Sequence, residues 1–160
     1  MLAPFYEGSE GPTLILTRRS WQMRTHTGEV SFPGGRHEPS DPDLLTTALR
    51  ESEEEIGLGR HLVRIVGELP QLTTVSSPSP IVPFVGVLEE EPALTPSQRE
   101  VDAILHVSLA ELMRPEIYRE ELWMRNGEAM EITFFELEGD TLWGATARML
   151  RDLLLALSER

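Results

Sequence analysis

The spacing of apolar residues divides the chain into strands and two long helices. Short apolar runs bounded by turn residues predict strands at 2–6, 13–17, 29–32, 61–69, 80–88 and 101–107. Asn126-Gly127 is a strong hairpin signal between predicted strands 121–125 and 129–137. Ser108 is suited to cap a short helix ending at Met113, and a helical apolar stripe covers about 144–157. Strands with two long helices favour one α/β layered domain over residues 1–160.

The first long helix has a clear start signal. Asp41 is a good N-cap, Pro42 fits the first helical position, and Asp43 suits the positive end of the helix dipole. Gly57 and Gly59 are expected to end the helix. The stripe that would face the core comprises Leu45, Ala48, Leu49, Ser52 and Ile56.

A separate edge of the same helix is acidic, with Glu51, Glu54 and Glu55 at positions i, i+3 and i+4. Like charges at this spacing destabilise a helix, so the arrangement is costly without a cation among them. Hard divalent ions such as Mg²⁺ or Mn²⁺ bind oxygen ligands, and Mg²⁺ typically combines carboxylates with substrate phosphates. The acidic edge therefore makes metal-assisted phosphate chemistry the first hypothesis.

Composition narrows the classes of partner. The formal net charge of −13 makes nucleic acid and anionic membranes poor partners, and a small-molecule substrate is expected. The absence of cysteine removes disulfides, thiolate metal sites and cysteine nucleophiles. Because there is neither a long apolar run nor a signal-peptide pattern, a cytoplasmic location is the default. Both a monomer and a homodimer are compatible with these features.

The acidic helix and the turn before it resemble the Nudix box, Gly-x5-Glu-x7-Arg-Glu-U-x-Glu-Glu-x-Gly-U, where U is a bulky aliphatic residue. The matching positions are Gly35, Arg50, Glu51, Glu54, Glu55, Gly57 and Leu58. Two departures stand out: Ser52 replaces an aliphatic residue, and one extra residue lies between the glycine and the arginine. Asp41 therefore takes the place of the first glutamate only when counted from the glycine. Membership implies the Nudix fold, a mixed β-sheet sandwiched between helices (α/β/α).

A second resemblance lies before the box. Residues 15–35 are similar to the coenzyme A pyrophosphatase signature, Leu-Leu-Thr-x-Arg-Ser/Ala-x3-Arg-x3-Gly-x3-Phe-Pro-Gly-Gly, and differ from it only at Ile15. Many members of this subfamily also carry the longer box, and segment 142–148 is likewise similar to them. Members usually have a helical segment before the first strand, whereas this chain opens almost on the strand, which is consistent with a truncated or misassigned start.

The resemblance implies hydrolysis of coenzyme A or an acyl derivative to 3′-phosphoadenosine 5′-phosphate and 4′-phosphopantetheine, with Mg²⁺ or Mn²⁺. Glu51 and Glu55 would be the principal metal ligands, and Glu54 a third or water-bridged one. Arg50 would orient these carboxylates through salt bridges. The turn at Gly34 and Gly35 would let the backbone approach the metal or the phosphates closely.

Two further roles are less specific. Arg19 and Arg24 match the signature and are candidates for the 3′-phosphate or the diphosphate, with structural salt bridging as the alternative. Glu100, just before the predicted strand 101–107, is the best later candidate for a general base; Glu53 is weaker. The competing interpretation makes Glu100 a plain surface carboxylate.

Aromatic residues are expected to serve the fold. Trp123, Phe134 and Trp143 are assigned to the core, with stacking on adenine as the alternative, which their spacing does not support. Two other functions compete with coenzyme A hydrolysis: a Nudix hydrolase of another substrate, such as ADP-ribose or an oxidised nucleotide, and a non-catalytic Nudix-fold binding domain. The complete set of box glutamates and arginine favours an enzyme.

Overall fold

The computed structural model describes residues 1–23, 25–74 and 77–158. The strands are β1 (Leu2–Gly8), β2 (Gly11–Arg19), β3 (Val30–Ser31), β4 (Arg64–Glu68), β5 (Leu72–Thr74), β6 (Ser77–Ile81), β7 (Phe84–Val87), β8 (Val101–Ser108), β9 (Tyr118–Arg125), β10 (Glu128–Leu137) and β11 (Asp140–Trp143). The α-helices are α1 (Leu44–Ile56), α2 (Leu109–Leu112) and α3 (Gly144–Ser158). Short 3₁₀ turns occupy Arg60–Leu62 and Pro115–Ile117. Within the described ranges, no helix combines the length and apolar character needed to cross a membrane.

The principal sheet is mixed and has six strands. β2 pairs antiparallel with β1, β3 and β8, while β1 pairs parallel with β7, which pairs antiparallel with β4. A second, antiparallel sheet has the order β11-β10-β9, and β5 and β6 form a separate ribbon. The mixed sheet with its helices is the architecture that the sequence predicts.

Strand β2 shows how the principal sheet is covered on both faces. Leu14 and Leu16 belong to a core cluster with residues of β10, β11 and α3, whereas Ile15 belongs to another cluster with residues of α1. Successive side chains of a strand point to opposite faces, so this division follows from the strand geometry. All three side chains are fully buried. The second sheet and α3 therefore cover one face, and α1 covers the other.

Several sequence predictions are confirmed at the level of elements. The hairpin β9–β10 turns at Asn126-Gly127, where both residues have positive φ, and α3 spans the predicted range. Ser108 caps α2 by accepting a hydrogen bond from the Glu111 amide at 3.1 Å. The strand predicted over 61–69 is shorter, because a 3₁₀ turn precedes β4. The one predicted over 80–88 is two strands, β6 and β7, interrupted at Val82 and Pro83.

Three segments converge where the candidate site lies. The backbone before β8 is tied to the end of α1, since the amides of Thr95 and Ser97 donate to the carbonyls of Ile56 and Glu55 at 3.0 and 2.8 Å. The end of β2 joins them, because the Ser20 amide donates to the Glu100 carbonyl at 2.9 Å. These bonds bring Glu100, the acidic half of α1 and the end of β2 together.

Candidate active site

Helix α1 begins later than the sequence predicts, at Leu44. Its N-cap is Asp43, whose carboxylate accepts a hydrogen bond from the Thr46 amide at 2.7 Å. That bond holds the pKa of Asp43 below its usual value. The predicted cap at Asp41, with Pro42 as the first helical residue, is wrong, because Asp41 serves a different partner. The helix ends as predicted at Gly57, whose φ of 71° is left-handed.

Asp41, which is buried, forms an ion pair with the partly exposed Arg50. Its oxygens accept hydrogen bonds from Nε and Nη2 of Arg50 at 3.0 and 2.9 Å, and from the Thr47 hydroxyl at 2.9 Å. The paired guanidinium holds the pKa of Asp41 well below its usual range, and the same pair raises the pKa of Arg50. Two parallel bonds fix the guanidinium plane.

The Nη1 atom of Arg50 contacts the acidic edge of α1. Its Nη1 lies 3.1 Å from a Glu51 oxygen and 3.1 Å from a Glu54 oxygen. Arg50 therefore holds three carboxylates at once and offsets part of their mutual repulsion. This geometry agrees with the orienting role that the family resemblance implies, and it adds Asp41 as the anchor of the arginine.

Glu51, Glu55 and Glu100 form the candidate metal centre. Each offers a carboxylate oxygen, and these oxygens all lie within 4.8 Å of one another. Glu51 and Glu55 come from the last two turns of α1, and Glu100 comes from the residue before β8. Glu54 is different: its side chain is 56% exposed and pairs with Arg50. Its role as a third ligand stays a prediction.

Glu55 is the most deeply placed of the three carboxylates, with 4% of its surface exposed. It accepts a hydrogen bond from the Gly34 amide at 2.9 Å, and a nitrogen of Arg19 lies 4.0 Å from its other oxygen. Burial raises the pKa of Glu55 to about 7, against the opposing effects of Gly34 and Arg19. A carboxylate with this pKa exchanges a proton near neutrality when no cation is bound.

Glu51 lies against the backbone of Gly35. A Cβ atom added to Gly35 would sit 2.4 Å from the Glu51 carboxylate carbon, which is closer than real contacts allow. Partial burial raises the pKa of Glu51 as well. The two glycines before α1 thus bring backbone close to the acidic cluster, Gly34 by donating to it and Gly35 by leaving room for it.

The other predicted site residues take varied positions. Arg19 reaches the cluster through Glu55, whereas Arg24 lies outside the described residues. Glu53 points elsewhere and pairs with Arg60 at 3.0 Å. Ser52, where the box has an aliphatic residue, is fully buried and donates to the Ala48 carbonyl at 2.7 Å. That bond satisfies the hydroxyl in an apolar setting.

The donor set suits a hard divalent cation. Three carboxylates within 4.8 Å supply only oxygen ligands, and two guanidinium groups contact them, Arg19 at 4.0 Å from Glu55 and Arg50 at 3.1 Å from Glu51. Burial raises the pKa of both Glu51 and Glu55, because it disfavours their charged forms, and the neighbouring carboxylates add to this. A bound dication would stabilise the charged carboxylates, so the residues present fit a metal centre.

The aromatic prediction is wrong for two of its three residues. Phe134 is buried, but Trp123 and Trp143 remain 46% and 41% exposed. In β9 the tryptophan lies between Leu122 and Met124, so apolar residues occupy both faces and the alternation does not indicate which one is buried. The two indoles line a surface cleft instead.

Comparison with known proteins agrees with this geometry. The NUDIX domain family matches residues 2–130. The chain is 36% identical over 142 residues to the uncharacterized Nudix hydrolase NudL of Photorhabdus laumondii, covering 89% of this chain and 75% of that one.

Solved structures share the fold at lower identity. An Ap4A hydrolase of C. elegans, solved as a binary complex, aligns with a TM-score of 0.58 and 18% identity over 68% of this chain and 78% of that chain. The NUDIX domain of NrtR from Shewanella oneidensis, complexed with ADP ribose, aligns with a TM-score of 0.52 and 17% identity over 70% and 72%. The family match over residues 2–130 and the 36% identity to a Nudix hydrolase show that the chain belongs to the Nudix hydrolase family and is an enzyme.

Proposed function

We propose that this enzyme hydrolyses the diphosphate bridge of coenzyme A or an acyl-coenzyme A. The products are 3′-phosphoadenosine 5′-phosphate and 4′-phosphopantetheine, or its acylated form. The observation that carries the proposal is the position of the pre-box signature. Arg19 of that signature lies 4.0 Å from Glu55, so the segment that marks the subfamily touches the candidate metal centre.

The acidic cluster supplies the metal site. Glu51 and Glu55 would hold the ion, and Glu54 would contribute directly or through water. When bound, Mg²⁺ or Mn²⁺ would supply charge neutralisation at the non-bridging phosphate oxygens and activation of the attacking water. Arg50, held by Asp41, keeps the carboxylates of α1 oriented.

The remaining residues bind substrate and move a proton. Arg19 and Arg24 hold the diphosphate or the 3′-phosphate, to which an arginine fork is suited. Gly34 and Gly35 allow the close approach of backbone to the reacting centre. Glu100 is the candidate general base, and its proximity to Glu51 and Glu55 gives it a second possible role as a ligand.

A substrate panel tests the proposal. Purified enzyme with Mg²⁺ or Mn²⁺ is incubated with coenzyme A, acetyl-coenzyme A and ADP-ribose, and the products are resolved by chromatography. We expect kcat/KM for coenzyme A to exceed that for ADP-ribose by at least about tenfold, which corresponds to about 1.4 kcal/mol of transition-state discrimination. Glu51→Gln is the control that attributes the turnover to this centre. The reverse ranking would contradict the coenzyme A specificity.

Hydrolysis of another nucleoside diphosphate derivative is the second candidate. The structural similarity to a NUDIX domain complexed with ADP ribose makes that compound the informative competitor. A ranking with ADP-ribose first would establish this alternative with the same catalytic residues.

A further inference from the structure

All three tryptophans of the chain line one surface cleft of about 720 Å³. Trp21, Trp123 and Trp143 remain 68%, 46% and 41% exposed, although each carries a large apolar surface. Phe134 forms part of the same lining and is buried behind them. We call this feature the aromatic cleft. Concave apolar sites with a few polar groups are the usual form of small-molecule sites.

One wall of the aromatic cleft stands on the second sheet. Phe134 and Trp143 are register partners on β10 and β11, and their rings are nearly parallel, with 14° between planes and 6.5 Å between centroids. Trp123 on β9 lies 6.0 Å from Phe134 and 6.3 Å from Trp143, centroid to centroid. Three neighbouring strands thus fix three aromatic rings in one surface.

Trp21 lines the cleft from the β2–β3 segment, and its indole packs directly on Gly28. A Cβ atom at Gly28 would lie 2.4 Å from the Trp21 ring, and φ of Gly28 is +70°. Gly28 is a glycine of the pre-box signature, so this signature position makes room for an aromatic side chain of the cleft. Aromatic surfaces from two parts of the fold border the same space, which suits a planar ligand.

Charges at the rim favour hydrogen-bond donors over phosphate. Glu29 and Asp140 line the cleft, and Glu29 lies 2.9 Å from Nδ1 of His26. Arg18 is the one cation among the lining residues that the structure describes; it is paired with Asp140 at 3.1 Å and lies 3.9 Å from Asp102. Among the described lining residues the carboxylates therefore outnumber the arginine by one. An amino group can donate to these oxygens, whereas a phosphate would be repelled.

The cleft and the metal centre lie at the same end of β2. Arg18 and Arg19 are its last two residues; the first borders the cleft and the second contacts Glu55. The backbone of Gly28 and Glu29 is hydrogen-bonded to Arg19 at 3.1 and 2.9 Å. From Gly28 to Gly34 the chain spans at most roughly 20 Å. A nucleoside diphosphate conjugate can therefore place its diphosphate at the acidic cluster and another part in the cleft.

We propose that the aromatic cleft binds the amino-bearing purine base of the nucleotide substrate. The base stacks on the indoles, and its exocyclic amino group donates to the Glu29 or Asp140 carboxylate. The proposal rests on the proposed function only in requiring a nucleoside diphosphate conjugate as substrate, and coenzyme A carries such a base. The proposed substrate site therefore runs from the acidic cluster, beside Arg19, to the aromatic cleft, beside Arg18.

Intrinsic fluorescence tests this directly, because every tryptophan of the chain lines the cleft. Metal-free Glu51→Gln enzyme is titrated with adenosine 3′,5′-bisphosphate, inosine 5′-monophosphate, adenosine 5′-monophosphate, ribose 5-phosphate and 4′-phosphopantetheine. The two adenine nucleotides should quench the emission saturably, and the inosine nucleotide, which lacks the amino group, should bind more weakly than its adenosine counterpart. Ribose 5-phosphate and 4′-phosphopantetheine should leave the emission unchanged.

Variants connect the signal to turnover. Trp143→Leu and Trp123→Leu should each weaken adenine-nucleotide binding roughly 5- to 150-fold and raise KM in the otherwise wild-type enzyme, with kcat changed less. Trp143→Phe should recover part of the loss. Leu122→Ala is the matched control, since Leu122 is 75% exposed on the same strand and does not line the cleft. Circular dichroism and melting temperature monitor folding of each variant.

Several results would overturn the proposal. Quenching by 4′-phosphopantetheine rather than by adenine nucleotides would assign the cleft to the other half of the substrate. A concentration-dependent emission change without nucleotide, matched by dimer formation in sedimentation, would assign it to a second copy. Folded tryptophan variants with wild-type affinity and KM would remove the cleft from the site. None of these results bears on the substrate panel, and a panel led by ADP-ribose would refute coenzyme A specificity while leaving base binding intact.

Discussion

At the scale of single residues, the acidic cluster depends on the lack of a side chain at Gly35 as well as on its own carboxylates. The Glu51 carboxylate occupies space beside Gly35 that any Cβ atom would enter. Because the contacting group is the end of a flexible side chain, a larger residue at position 35 would displace the carboxylate rather than unfold the protein. Function should therefore be more sensitive than stability at this position.

Gly35→Ala tests that separation. We expect kcat/KM to fall about 100-fold, because small displacements of a catalytic group can cost this much, while the melting temperature changes little. Gly67→Ala is the matched control, since no atom lies within 4 Å of the added Cβ and activity should stay at the wild-type level. Near-normal turnover of Gly35→Ala would mean that the position of Glu51 seen here does not matter for catalysis.

Glu100 is the residue whose role the geometry changes most. The sequence predicts a general base here, whereas the structure brings a Glu100 carboxylate oxygen within 4.8 Å of oxygens of Glu51 and Glu55, close enough to share one ion. We expect Glu100→Gln to weaken Mn²⁺ binding roughly tenfold or more, because the charge count of the ligands sets the affinity. Titration calorimetry measures this. Glu53→Gln, which alters an exposed carboxylate paired with Arg60, should bind Mn²⁺ like the wild type. Wild-type affinity in Glu100→Gln, with kcat reduced, would make Glu100 a base and not a ligand.

How far the sequence predicts this site depends on the kind of signal each residue carries. Arg50, Glu51 and Glu55 are set by fixed motif spacing on one helix, so their proximity follows from helix geometry. Glu100 meets them only through the hydrogen bonds that tie its segment to α1, and no local pattern encodes that contact. The indoles of the cleft come from β9, β11 and the segment between β2 and β3, so their proximity depends on the tertiary fold and not on spacing along the chain.

At the scale of elements, local signals predict some boundaries and mislead at others. Asn126-Gly127 sets its hairpin because both residues tolerate positive φ. The sequence prediction places the start of α1 too early, because Asp41 and Asp43 are both good N-cap residues. Only the tertiary partner of Asp41, the Arg50 guanidinium, determines which of the two is free to cap the helix.

Asp43 therefore carries a prediction about α1 as a unit. Asp43→Ala removes the cap and should lower the melting temperature by roughly 2–4 °C. Asp43→Asn retains an acceptor for the Thr46 amide and should stay close to the wild type. Thermal unfolding followed by circular dichroism measures both. Equal losses in the two variants would indicate that the charge of Asp43, and not its hydrogen bond, supports the helix.

At the scale of the whole molecule, the fold holds the acidic cluster where charge is costly. Two layers, α1 on one side and the second sheet with α3 on the other, enclose the principal sheet. Glu55 belongs to the buried set of α1, so the packing that stabilises the helix also desolvates a carboxylate. Without a cation, the stability of the entire domain is therefore linked to the protonation of this one group.

The pH dependence of unfolding expresses this linkage. The folded pKa of Glu55 is raised from 4.5 to about 7 by burial, so its stabilising contribution is complete below about pH 4.5 and is lost as the pH rises through 7. We expect the metal-free enzyme to lose up to about 3 kcal/mol of unfolding free energy between pH 4.5 and 8 from this group. Glu55→Gln should remove the contribution of this group, because the amide does not titrate, and should leave the contribution of Glu51, whose pKa is also raised by burial. Saturating Mn²⁺ should reverse its sign, since binding requires the deprotonated carboxylate. Urea unfolding at a series of pH values, with and without Mn²⁺, measures all three curves, and a metal-free stability that rises steadily from pH 5 to 8 would show that Glu55 is not the buried, proton-binding group described here.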